Sequence, residues 1–223
     1  SRNITFEGKG FKPQSKLFAF FDGVNVTKYC FPKLIEISMK SGVFQVGETV
    51  TGTIQTNFTG NRTKTVKFRV ANSNHKEGPF NAPTRVYVKN PYTTSTAVSA
   101  LETYSGTPGF VQLTGASASI IPSSYSSTST TLNVDLVSLA EQPQGDFFGN
   151  VESGMTLKGG TSGAEAEVAD VRLISDYASS LQGSFFIPDP NVDANPKFET
   201  GKKEFVLIDD DQNRSSEATT FAT

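Results

Sequence analysis

The sequence predicts an all-β protein, and three observations carry that prediction. Apolar residues recur with period two rather than 3.6. The strand-like runs are short and bounded by Gly, Pro, Asn or Asp, and blocks rich in Leu, Ala, Glu and Lys are missing. Ser and Thr make up 49 of the 223 residues, with 19 Gly and 11 Pro beside them, so turn-forming residues are plentiful. With 36% apolar residues and 18 Phe, the chain can still bury a core, which argues against wholesale disorder.

The elements follow in order. Ile4–Phe6 and Lys16–Phe21 alternate as strands, and Asp22-Gly23 marks a tight turn into Val24–Tyr29. Further strands are expected at 49–53, 65–70, 84–88, 110–113, 131–137, 164–173 and 204–208. A helical turn or two fits only 96–104 or 175–182, where no clear apolar stripe exists. Segments 90–96 and 121–130 read as polar connectors. Phe185–Asn191 reads as a stiffer one, because Pro188 and Pro190 remove backbone donors and favour an extended path. Residues 209–217 form a polar loop, and 218–223 begin another strand.

A self-comparison shows an internal repeat. Gly42–Gly52 aligns with Gly149–Gly159 at an offset of 107, sharing Gly, four residues, Gly, any residue, Thr, an aliphatic, any residue, Gly. Val66–Asn72 then aligns with Ala164–Asp170 at an offset of 98, so residues 55–65 of the first copy shrink to Ser162-Gly163 in the second. Loops accept such length changes and strands do not, so each copy is expected to be a β-hairpin. Ser162-Gly163 is read as a two-residue turn, and Gly47, Gly52, Gly154 and Gly159 as the bends. The expected organisation is a strand-rich segment (1–40), a first β unit with long loops (41–140), a second unit repeating 42–72 (141–183), and an extended connector with a last strand (184–223). The two units are expected to be small antiparallel barrels or sandwiches.

Composition also excludes chemistries. Twenty basic residues against 22 acidic ones give a formal charge of −2, without the positive surplus of a nucleic-acid binder. A lone Cys30 and a lone His75 leave no intrachain disulfide, CxxC zinc site or multi-His metal centre, and no cofactor is implied. No run approaches 18 apolar residues, so no membrane-spanning segment is expected. His75 lies in a stretch that reads as an exposed turn, and Cys30 reads as a small buried filler. Asp135, Asp146, Glu152, Asp170, Asp176 and Asp189 are scattered carboxylates without an aromatic cleft signature or any Trp. Asp209, Asp211 and Asn213 open like an EF-hand loop, but Arg214 stands at the sixth position and Thr220 at the twelfth, so that match fails. The chain begins Ser1-Arg2 without Met and is read as a segment of a longer polypeptide or a processed product.

Several motifs in shared order carry a resemblance. Phe18-Ala19-Phe20-Phe21-Asp22-Gly23-Val24-Asn25-Val26-Thr27-Lys28-Tyr29-Cys30 resembles a segment of large virion structural proteins of contractile-tailed, cyanophage-like bacteriophages. The likeness continues through Asn74–Pro79, Leu132–Asp135, Gly154–Leu157, Gly160–Ala164, Gly183–Pro188 and Phe198–Phe205, covering nearly the whole chain. The resemblance implies a non-enzymatic module of a tail, baseplate or fibre protein, located in the virion and in the host cytoplasm during assembly. It implies other virion proteins and copies of the chain itself as partners, and it transfers no catalytic residues.

Within that expectation, the mechanism is strand addition at exposed sheet edges, with Phe18, Phe20, Phe21, Phe185, Phe186 and Ile187 as interface anchors. A second expectation is a host-glycan receptor module whose loops 55–65 and 72–81 present Asn57, Asn61, Arg62, Asn74, His75 and Asn81. A third is a polysaccharide depolymerase.

Overall fold

The structure is a computed structural model; it describes residues 2–56, 62–93, 103–104, 120–140, 147–215, 218 and 221–222. The first strands are β1 (Arg2–Lys9), β2 (Phe18–Phe21), β3 (Val24–Asn25), β4 (Cys30–Pro32) and β5 (Leu34–Ser41). The first repeat hairpin is β6 (Thr49–Thr56) with β7 (Arg62–Arg69); β8 (His75–Glu77), β9 (Arg85–Val86), β10 (Thr103–Tyr104) and β11 (Thr131–Asn133) follow. A short helix α1 (Leu136–Ala140) precedes the second hairpin, β12 (Thr156–Gly159) with β13 (Glu165–Asp170), and then come β14 (Ser180–Ile187), β15 (Phe205–Ile208) and β16 (Phe221–Ala222).

The fold is all-β, built of antiparallel sheets, none of which closes into a barrel among the described residues. The largest sheet has the order β11-β5-β13-β12-β6-β7; the others are β1-β14-β4, β10-β9-β8 and β16-β15-β2-β3. The repeat hairpins therefore lie side by side in one sheet instead of each organising a unit. One core, from Phe31 to Val168, draws Phe44, Val50, Val66 and Phe68 from the first copy's region and Val151, Met155, Leu157 and Ala166 from the second. A second core, rich in aromatics, lies around Phe11, Cys30, Leu181 and Phe185.

The two copies are related by a local pseudo-two-fold axis. Thr49 pairs with Arg69 in the first hairpin, and Thr156 pairs with Glu167 in the second, so the offsets of 107 and 98 reproduce the same register. Between the hairpins Thr51 pairs with Lys158, its own equivalent, and Val50 faces Gly159 while Gly52 faces Leu157. The turns before the two hairpins match bond for bond. Gly47 and Gly154 hold φ of +87° and +83°, and their N–H groups donate at 2.8 Å to Val70 and Val168.

Gly52 and Gly159 are not bends. Gly159 is the last residue of β12, and Gly52 sits inside β6, where a Cβ would come within 2.7 Å of Val66 Cγ1 and 2.8 Å of Leu157 Cδ2. The second hairpin's turn is longer than two residues: Gly160–Gly163 separate Gly159 from Ala164, and Gly159 N–H donates to the Ala164 carbonyl at 2.9 Å. In the first hairpin, residues 55–56 and 62–65 belong to paired strands rather than to a polar loop. Asp22 and Gly23 form the expected turn, both with positive φ (+53° and +79°).

Two further expectations change. The strand expected over 131–137 ends at Asn133, and α1 begins at Leu136. Asp135 is drawn aside there, its N–H donating to the Arg69 carbonyl at 2.9 Å and its carbonyl accepting from Ser138 Oγ at 3.0 Å. Phe185–Ile187 is not connector but the end of β14, the central strand between β1 and β4; only Pro188, which has no N–H for the ladder, ends it. Segment 175–182 contains a turn at Asp176–Ser179, not a helix. The strand expected at 110–113 lies outside the described residues, as does most of 96–104.

Candidate functional site

A cleft of about 650 Å3 opens between β1, β8 and the start of α1. Lys33, between β4 and β5, contributes an ammonium group from a residue that is only 3% exposed. Its backbone fixes it on both sides: its N–H donates to the Gln182 carbonyl at 2.9 Å, and its carbonyl accepts from Val134 N–H at 2.8 Å. Lys33 Nζ itself donates to the Val134 carbonyl at 2.8 Å. Burial pushes this ammonium down to about 7, with the charge of Asp135 pulling the other way.

His75 stands beside it on β8 and is 5% exposed, not on the exposed turn that the sequence indicated. Its Nε2 lies 2.9 Å from the Gly78 carbonyl, so Nε2 carries the proton and donates. Nδ1 is then a bare acceptor, and it is buried with no hydrogen-bond partner. Burial, and secondarily the positive Lys33, lower the His75 pKa; the nearby Gly78 and Pro79 carbonyls and the charge of Asp135 oppose them. The imidazole is neutral at pH 7.

The remaining charges around the cleft are matched. Lys76 Nζ lies 2.7 Å from Asp176 Oδ2, both buried, and Asp176 also accepts from Ser180 N–H and Oγ at 2.9 Å. Arg69 grips Asp135 Oδ2 through Nε at 2.7 Å and Nη2 at 2.5 Å. Arg85 meets Glu77 at 2.9 Å and Lys9 meets Glu7 at 3.2 Å. Among the described residues, Lys33 and Lys89 are buried lysines with no described carboxylate within ion-pair distance; Lys89 Nζ sits 3.9 Å from the centroid of the Tyr177 ring, which leaves Lys33 as the unmatched cation of the cleft.

The expected interface aromatics are used largely within the chain. Phe21 packs against Phe185 at 5.3 Å between ring centroids and edge-on against Phe198 at 4.8 Å, and Phe205 stacks on Phe185 at 5.8 Å. Phe185 and Phe20 are 2% and 5% exposed, so neither offers a surface anchor; Phe18, Phe186 and Ile187 are half-buried. Phe186 lines a smaller cleft of about 280 Å3 with Tyr29, Asn150 and Asn195.

The expected receptor residues are described only in part. Asn57 and Asn61 lie outside the described residues, Arg62 and Asn81 are exposed, and Asn74 is half-buried. Arg62 sits at the Thr56 end of the hairpin, while Phe80 lies under Arg69 at the other end, with the guanidinium 4.0 Å from its ring centroid. Seven residue steps separate the two ends, or about 23 Å at strand rise. Arg62 and Phe80, described residues of the two loops, therefore lie toward opposite ends of the hairpin. Of the scattered carboxylates, Asp135, Glu152, Asp170 and Asp176 are in ion pairs, and Asp189 accepts from Asn191; Asp146 lies outside the described residues. Cys30 is buried at 1% exposure, and burial pushes its thiol pKa up.

Sequence reading missed Lys33, Lys76 and Glu48. A signal for Lys33 was present: it interrupts the apolar run Cys30-Phe31-Pro32-Lys33-Leu34-Ile35, where a strand buried on both faces has no solvent side for a charge. Lys76 and Glu48 gave none, since their partners Asp176 and Ser162 are 100 and 114 residues away.

No protein-family model matches the chain, and no match was found among curated proteins or solved structures.

Proposed function

We propose that this chain is a non-enzymatic structural module of a bacteriophage virion, belonging to a tail, baseplate or fibre protein and assembling by strand addition. The observation that carries the reading is β1. It is an eight-residue strand at the edge of its sheet, paired only with β14 among the described residues. Because Gln182 accepts from Lys33 N–H, Gln182 and Ser184 turn their main-chain groups toward β4. The alternate residues of β14 face β1, which leaves the main chains of Thr5 and Glu7 directed outward. Neither makes a main-chain hydrogen bond to a described residue on that side, and α1 lies alongside without bonding to the strand.

Such an edge is a template for an incoming strand, and Ile4, 39% exposed, adds apolar surface to it. The ordered motifs that resemble virion proteins support reading this edge as an assembly contact. Thr5→Pro tests the reading, because it removes an outward N–H and no bond to β14. The variant should keep the wild-type circular dichroism spectrum and be depleted from assembled virions. Incorporation at the wild-type level would overturn the proposal.

A further inference from the structure

We infer that the cleft between β1, β8 and α1 is a binding site for a carboxylate carried on a peptide side chain, held between Lys33 Nζ and His75. The charge balance argues for an anion. Each acidic group on the cleft wall is already neutralised by a cation of its own: Glu7 by Lys9, Glu77 by Arg85 and Asp135 by Arg69. Lys76 is likewise matched by Asp176. Lys33 is the surplus charge, and it spends one of its three N–H donors on the Val134 carbonyl.

The orphaned His75 Nδ1 is the second observation. A buried acceptor without a donor costs stability, and a carboxylate that binds together with one proton from solvent resolves it: the proton goes onto Nδ1, and the carboxylate then accepts from Nδ1–H and from Lys33. One group thus gives His75 Nδ1 a partner and Lys33 a counter-charge. The walls near these groups are apolar, with Phe6, Leu136 and Val137, the last 61% exposed. They suit the alkyl stem of an acidic side chain better than a hydroxyl-covered sugar ring, because Gln182 on the same wall already donates to Glu7.

Thr5, Phe6 and Glu7 of the edge strand also line the cleft. The peptide origin of the carboxylate rests on the strand-addition reading, while the site itself does not. The titratable groups that face it are Lys33, His75, Lys76, Glu7, Glu77 and Asp135. Since Lys33 must be charged to hold an anion, binding should strengthen as pH falls from 8 to 6.

The test titrates the full chain with sodium acetate against sodium chloride at equal ionic strength, reading melting temperature and lysine side-chain NMR shifts. Acetate should stabilise the wild type beyond chloride and shift the Lys33 resonance. Lys33→Met, which keeps the buried stem, should weaken acetate binding at least about tenfold, and His75→Phe should weaken it as well. Equal responses to acetate and chloride, or undiminished binding to Lys33→Met, would overturn the site. A second arm compares N-acetylglutamate amide with glucuronate: preference for the amino-acid derivative supports a peptide ligand, and preference for glucuronate overturns that assignment while leaving β1 addition untouched.

Discussion

Lys33 is a buried ammonium whose native pKa is about 7 against an ordinary 10.5. Between those values the unfolded chain binds more protons than the native one, so stability rises with pH over that interval. Lys33→Met removes the penalty of burying the charge. It should stabilise the protein by about 1–4 kcal/mol at pH 6, with the gain shrinking toward pH 10; urea midpoints of both proteins at the two pH values measure it, and a gain independent of pH contradicts it. Glu48 works in the opposite sense. Its carboxylate, 5% exposed, accepts from Gln45 N–H at 2.7 Å in the first copy and from Thr161 and Ser162 N–H at 3.0 and 2.9 Å in the second. Burial alone raises its pKa, but the bonds to Ser162, Gln45 and Thr161 outweigh that and hold it below the usual carboxylate range. That stabilisation is present above the ordinary carboxyl pKa and is lost as pH falls through the native one. Glu48→Gln should cost about 1.5–3 kcal/mol at pH 7 and much less at pH 3, as chemical denaturation at each pH would show.

At the scale of elements, the duplicated hairpin is the organising feature, and its glycines are where the copies meet. Gly52 is flanked by Val66 and Leu157 so closely that Gly52→Ala should cost about 1–3 kcal/mol through overpacking. Gly163→Ala, with open space around it and φ of +68°, should cost only about 1 kcal/mol of backbone strain. Melting curves of the two variants compare these directly. The repeat, its hairpin register and the Asp22-Gly23 turn were legible in the sequence because they depend on local spacing and on glycine chemistry. That the copies pair with each other was not, since reciprocity between Val50 and Gly159 is a relation between strands 109 residues apart. The helix at Leu136–Ala140 was hidden too, because five residues carry too little periodicity to separate from strand. The Lys33 cleft was invisible for a related reason: Thr5, Lys33, His75 and Asp135 converge on it from four distant segments.

At the scale of the whole molecule, the two cores and the self-paired repeats cover much of the apolar surface of the described residues within the chain. Among the described residues, the outer edge of β1, next to the cleft, is an eight-residue run of strand with a partner on one side. Assembly would then depend on main-chain hydrogen bonds at Thr5 and Glu7, with the aromatic cluster holding β1 and β14 in place. Amide hydrogen exchange at β1 tests this most directly, measured in the isolated chain and in the assembled virion. The Thr5 and Glu7 amides should exchange rapidly in the isolated chain and become protected on assembly, while the Phe6 and Gly8 amides, bonded to β14, are protected in both. Rapid exchange at Thr5 and Glu7 in the assembled particle would contradict strand addition at this edge.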